Sequence, residues 1–136
     1  MKLLFDLNVL IDVAARWQKF PESYAAYNAL LERADHAICL PACGYTTLYY
    51  VLAKLLSEEQ ARQTVRRFTD VMGVTPLDDK TVRLAHQLDF TDFEDAAVAA
   101  SAVAGRCDRI ITRNVQDFSR SPVRAVTPVQ LLSELS

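Results

Sequence analysis

The chain has 136 residues, 51% hydrophobic and 24% charged, a balance that suits one compact domain over residues 1–136 and excludes wholesale disorder. Its formal net charge of −2 excludes a generally basic nucleic-acid binder. It does not exclude a nuclease, because divalent cations can neutralise a carboxylate cluster and bridge it to phosphate.

The run Lys2-Leu3-Leu4-Phe5 stops at Asp6 and resumes at once as the apolar stretch Leu7 to Asp12. A short continuous apolar run of this kind predicts a strand buried on both faces of a parallel sheet. Ligands bind beyond the carboxyl ends of such strands, so Asp6 is the first catalytic candidate. A plainer role stands beside it, since Asp6 or Asn8 would also cap the following helix.

Phe20-Pro21-Glu22 marks a break, after which Tyr24, Tyr27, Leu30 and Leu31 recur at helical spacing to about Ala34. Ala37 to Leu40 reads as a second strand ended by Pro41, and helical period returns from Cys43 to Leu56. Ser57 and Gln60 form a capping-box pattern opening a helix to about Val71. That helix carries Arg62, Arg66 and Arg67, which suit phosphate, an acidic partner or a solvated face.

Gly73 to Leu77 is a short strand candidate, with Asp78 or Asp79 capping a helix from Lys80 to about Leu88. Thr91 and Glu94 suggest a second capping box, starting an Ala-rich helix from Asp92 that Gly105 stops after Ala104. Arg109 to Thr112 predicts another strand, ending in the polar segment Arg113 to Phe118, and Val123 to Val126 is the last strand candidate. Thr127-Pro128 opens a closing helix to Leu135. Strands alternating with helices predict a three-layer α/β/α sandwich around a mostly parallel sheet.

Asp92 and Asp95 share one face of a first helical turn, from which Glu94 is expected to point away. Asp92 has a structural reason to stand near free amides, whereas Asp95 faces small apolar neighbours at a cost unless it meets a cation or donors. Asn114 and Asp117 follow their strand at the same carboxyl edge as Asp6, so these positions can converge. Clustered oxygen ligands suit Mg²⁺ or Mn²⁺, which can acidify water and offset charge in phosphodiester cleavage.

Cys39, Cys43 and Cys107 are odd in number and stand behind no secretory leader, so free thiols of a reducing cytoplasm are expected. Zinc is not expected, because His36 and His86 fall into no usual ligand spacing with them. No apolar stretch has membrane-spanning length. Trp17, Tyr24, Tyr27, Tyr49 and Tyr50 suit either an exposed interface or ordinary core.

Three segments together resemble the PIN-domain family, in particular its small bacterial VapC-like toxins. They are Phe5 to Asp12 with its Asp-x-Asn, Asp89 to Ala96, and Ile111 to Phe118 with its Thr-Arg-Asn-x-x-Asp-Phe. The resemblance implies a cytoplasmic metal-dependent endoribonuclease, the toxin of a toxin–antitoxin pair, with a small antitoxin as partner and a homodimeric state. It implies Asp6 and Asp95 as principal Mg²⁺ or Mn²⁺ ligands, Asn114 and Asp117 completing the pocket, and Asn8, Asp92 and Thr112 in support. Asp6, Asp95 and Asp117 are then the catalytic acids. One departure stands out: Thr47 occupies the position where the family usually carries a Glu. A neutral hydroxyl holds a divalent ion less strongly, which keeps a second expectation open, a degenerate PIN-like domain that binds RNA or protein without cutting.

Overall fold

A computed structural model describes all residues 1–136. Five strands, β1 (Lys2–Phe5), β2 (Ala37–Pro41), β3 (Gly73–Thr75), β4 (Arg109–Ile111) and β5 (Ala125–Val126), form one sheet. The sheet is parallel throughout, in the order β3-β2-β1-β4-β5. The seven helices are α1 (Leu7–Ala15), α2 (Pro21–Leu31), α3 (Tyr45–Leu55), α4 (Glu58–Val71), α5 (Asp79–Gln87), α6 (Phe93–Ala104) and α7 (Pro128–Leu135). Short 3₁₀ turns at Ala42–Gly44 and Val115–Phe118 follow β2 and β4.

The period-two alternation of the strands divides the core into two layers. Leu3, Phe5, Ile38, Leu40 and Ile111 face one side, where they pack against Leu10 of α1, Leu30 of α2, Leu48 and Leu52 of α3, Phe68 of α4 and Leu131 of α7. Leu4, Cys39 and Ile110 face the other side and meet Val98, Ala99 and Ala102 of α6. Alanines of α6 also pack on Ala85 of α5. Small side chains bring α6 close to the sheet, which sets the start of that helix beside the carboxyl ends of the strands.

The expected three-layer sandwich is therefore present, with β1 at its centre. Caps fix the helix starts: Asp78 caps α5, and Thr127 with Gln130 closes a reciprocal capping box on α7. Several boundaries differ from expectation: α2 ends at Leu31 rather than about Ala34, β3 at Thr75 rather than Leu77, α3 begins at Tyr45 rather than Cys43 and β5 at Ala125 rather than Val123. Pro41 is the last residue of β2, in register with Thr75, because only its missing N–H is lost at the end of the ladder. Asp92, not Thr91, caps α6, since its carboxylate accepts from the Asp95 N–H at 3.0 Å.

Gly44 permits a close approach that positions α3: a Cβ there would lie 2.6 Å from the Leu7 side chain. Trp17, Tyr24 and Tyr50 are exposed, whereas Tyr27 and Tyr49 pack against the core. The three cysteines are free thiols, Cys39 and Cys107 buried. No helix is long and apolar enough to cross a membrane.

Candidate active site

The sheet register brings the ends of β1 and β4 together. Phe5 pairs with Ile111, so Asp6 and Thr112 are the next residues along, and the Asp6 N–H donates to the Ile111 carbonyl at 2.9 Å. The buried Thr112 hydroxyl donates to Asp6 Oδ2 at 2.8 Å. Leu7 N–H donates to Asp6 Oδ1 at 2.9 Å, which makes Asp6 the cap of α1 as well as a residue at the carboxyl edge. The capping role of Asp6 is thus present, at the carboxyl edge where the catalytic reading places it.

Asn8 stitches this corner from the side. Its amide donates to Asp6 Oδ2 at 3.3 Å and to Thr112 Oγ1 at 3.2 Å, and its Oδ1 accepts from the Arg113 N–H at 3.2 Å. The Asn114 N–H donates to Thr112 Oγ1 at 3.1 Å. Beneath them lies a pair that the sequence reading passed over. Asp12 is fully buried and accepts from Arg113 Nε at 2.7 Å and from the Ser23 hydroxyl at 2.9 Å. The Arg113 guanidinium also stacks over Phe20, 3.9 Å from the ring centroid. A carboxylate fully out of water requires such partners.

A polar cleft of about 420 Å³ opens at this edge, lined by Asp92, Asp95 and Asp117 among others. Phe118 is buried and meets Phe90 edge-on at 6.0 Å, which anchors the 3₁₀ turn carrying Asp117. Arg120 and Asp89 form an ion pair at the cleft's lining. Asn114 lines a separate groove with Phe20 and Arg113. Thr47 is exposed in the first turn of α3 and does not line the acidic cleft.

The electrostatics are one-sided. Burial pushes the Asp6 carboxyl above its ordinary range, the hydrogen bonds from Thr112 and Leu7 oppose this, and Glu94 and Asp117 add to it. Burial, followed by Asp92, Asp6, Asp117 and Glu94, raises Asp95 to about 6. Each charged neighbour acting on Asp95 is another carboxylate. Glu94 does not line the cleft, in keeping with the expectation that it points away from Asp92 and Asp95, yet its charge still acts on Asp6, on Asp95 and on Cys43, which burial, Glu94 and Asp6 raise to about 11.

As donors, Asp6, Asp92, Asp95, Asp117 and Glu94 offer hard oxygens that repel one another, the set that suits Mg²⁺ or Mn²⁺. In this arrangement no three His, Cys, Asp or Glu side chains stand close enough to hold one ion together. Gathering around an ion would require rotation of the more exposed side chains, while Asp6 is already fixed.

A family model described as PIN domain matches residues 2–116. No curated protein matches the chain by sequence. Among solved structures, the chain resembles VapBC2 from Rickettsia felis bound to a DNA fragment from their promoter, with a TM-score of 0.73 and 18% identity over 93% of this chain and 98% of that one. DNA-bound VapBC from Salmonella typhimurium gives a TM-score of 0.73 at 20% identity over 94% and 98%. A toxin–antitoxin complex from Klebsiella pneumoniae gives 0.68 at 23% identity over 93% and 97%.

Proposed function

The chain belongs to the PIN-domain family, and from that premise we propose that it is a metal-dependent endoribonuclease, the toxin component of a toxin–antitoxin pair acting in the cytoplasm. The observation that carries this reading is the gathering of carboxylates at one edge of the sheet: Asp92, Asp95 and Asp117 line the same cleft, and Asp6, Asp92, Glu94 and Asp117, from three stretches of chain, all act on Asp95. Such a cluster is costly alone and useful around a divalent ion.

Asp6, Asp95 and Asp117 would hold the ion, with Asp92 and Asn114 as further ligands and Asn8, Thr47 and Thr112 in support. Bound there, Mg²⁺ or Mn²⁺ would offset charge developing on the phosphate and acidify water for attack at phosphorus. The chain's own residues prepare this. Thr112, Leu7 and Asn8 hold the Asp6 carboxylate in one orientation, with Thr112 and Leu7 favouring its charged form. Without an ion the Asp95 carboxyl is raised by burial and its acidic neighbours, so a cation placed among them would favour its charged, ligating form.

The structural neighbour named as a toxin–antitoxin complex supports a protein partner; that the partner is small and covers the cleft, and that the chain is a homodimer, are parts of the same proposal. Thr47 favours a second reading, a non-cutting RNA- or protein-binding module. The two part in one experiment: a panel of structured and single-stranded RNAs incubated with Mg²⁺ or Mn²⁺, against EDTA and against Asp95→Asn. Cleavage lost in both controls supports the nuclease. An inert wild-type protein that takes up no divalent ion in calorimetry leaves the binding module.

A further inference from the structure

A cleft lined by Asp89, Asp92, Asp95 and Asp117, whose one arginine, Arg120, is paired with Asp89, repels a polyanion except at a bound ion, so a nucleic-acid strand needs cationic contact elsewhere on the same edge. Helix α4 supplies it. The ion pairs of the chain engage Arg83, Arg109, Arg113, Arg120 and Arg124, and none of Arg62, Arg66 and Arg67. All three α4 arginines are exposed. Arg67 bonds its own helix through Thr64 Oγ1 at 3.4 Å. Arg62 and Arg66, four residues apart, stand on one face and line a groove of about 370 Å³ with Tyr45, Gln63 and Val65.

The groove's place in the fold matters as much as its charge. Tyr45 begins α3 directly after the 3₁₀ turn that leaves the carboxyl end of β2, and its hydroxyl donates to the Val65 carbonyl at 3.5 Å. β2 is the neighbour of β1, whose end carries Asp6. Cys43, two residues before Tyr45, packs against the alanine cluster of α6 that includes Ala96, the residue after Asp95. The groove and the acidic cleft therefore open on one edge of the sheet.

We propose that the α3–α4 groove docks the phosphate backbone of a single RNA strand away from the bond that is cut, with Arg62 and Arg66 on successive phosphates. Guanidinium groups suit phosphate oxygens, and Tyr45 adds an aromatic side to the groove that tolerates any base. This rests on the ribonuclease reading, and it adds a second site to that reading.

The test measures anisotropy of a labelled single-stranded RNA in EDTA across a salt series, for wild type, Arg62→Ala/Arg66→Ala and Arg62→Lys/Arg66→Lys. Losing two phosphate contacts makes the log–log salt slope less negative by about 1.4, while the lysine pair retains most of it. An unchanged slope in the alanine variant overturns the proposal. So does a change of oligomeric state in sedimentation, which would make the groove an interface between protein chains. Because EDTA prevents cleavage, this readout stands apart from the nuclease assay. With Mn²⁺, a dinucleotide too short to reach α4 is cut equally by wild type and alanine variant, whereas the longer strand shows a raised KM. Equal KM values for the long strand count against the docking site.

Discussion

The hydroxyl of Thr112 donates to Asp6 Oδ2 at 2.8 Å, joining the ends of two neighbouring parallel strands at the residue on which the candidate site depends. Thr112 also accepts from Asn8 and from the Asn114 N–H, so one buried hydroxyl serves three partners. Thr112→Val keeps the shape and removes the donor and the acceptor. The expected loss is about 1–3 kcal/mol in urea unfolding, with a further rise in the Asp6 pKa by NMR titration. An unmoved Asp6 titration would show that this bond does not hold the carboxylate in its charged form.

Asp95 and Asp6 both have carboxyls raised in the folded state, Asp95 to about 6. The folded chain therefore holds these protons more tightly than the unfolded chain, for which Asp is near its ordinary value. Their contribution to stability is fully present below the unfolded value and is lost as pH rises through the folded one. In metal-free protein, stability is expected to fall between about pH 4 and 6 through these groups. Asp95→Asn should flatten this decline and be slightly more stable at pH 7, by under about 1 kcal/mol because the group is partly solvated. A steeper decline in the variant would contradict this.

Divalent ions should act in the opposite sense. Mn²⁺ competes with the protons on these acids, so its stabilisation of wild type in thermal melts should be larger at pH 7.5 than at pH 5.5. In Asp95→Asn the increment should shrink at both pH values. Equal increments for the two proteins would place the ion elsewhere.

The Asp12–Arg113 pair predicts an asymmetry. Asp12 is fully buried, whereas the Arg113 side chain is 27% exposed and can turn to water. Arg113→Met strands a buried carboxylate and should cost about 3 kcal/mol or more, while Asp12→Asn should cost less. Chemical denaturation of both variants checks the order. The reverse order would mean that the guanidinium, through its stack on Phe20, is the member that depends on its partner.

Arg106 adopts a left-handed backbone, φ 56°, where α6 turns into β4. Arg106→Gly should be more stable by about 0.5–1 kcal/mol, as measured by a higher denaturation midpoint at unchanged slope.

How far the sequence disclosed this site depends on the range of the signal. The break at Phe5-Asp6 and the Thr127-Pro128 start were legible because strand burial and helix capping are written in adjacent residues. The meeting of Asp6 with Thr112 followed from both lying at carboxyl ends of parallel strands. The influence of Glu94 on Asp6 and Asp95 was not legible, because helical spacing describes Cβ directions and says nothing of how far a charge acts. The Asp12–Arg113 pair joins positions 101 apart, and nothing local in an apolar helix marks its one acid as needing a distant guanidinium. Thr91 looked like a cap because it precedes Glu94 by three, yet Asp92 took the role by bonding the Asp95 N–H.

The order of assembly follows from these separations. Thr112 leaves the ribosome 106 residues after Asp6, and central β1 lacks its neighbour β4 until then. At about 5–20 residues per second, the nascent chain carries an incomplete site for roughly 5–20 s. Throughout that interval Asp6 lacks its Thr112 donor, and the acids of α6 join it only near the interval's end, with Asp117 later still. A chain released before β4 would present most of the helices without the corner that joins Asp6 to Thr112, so this edge is completed only once β4 and the turn after it have been made.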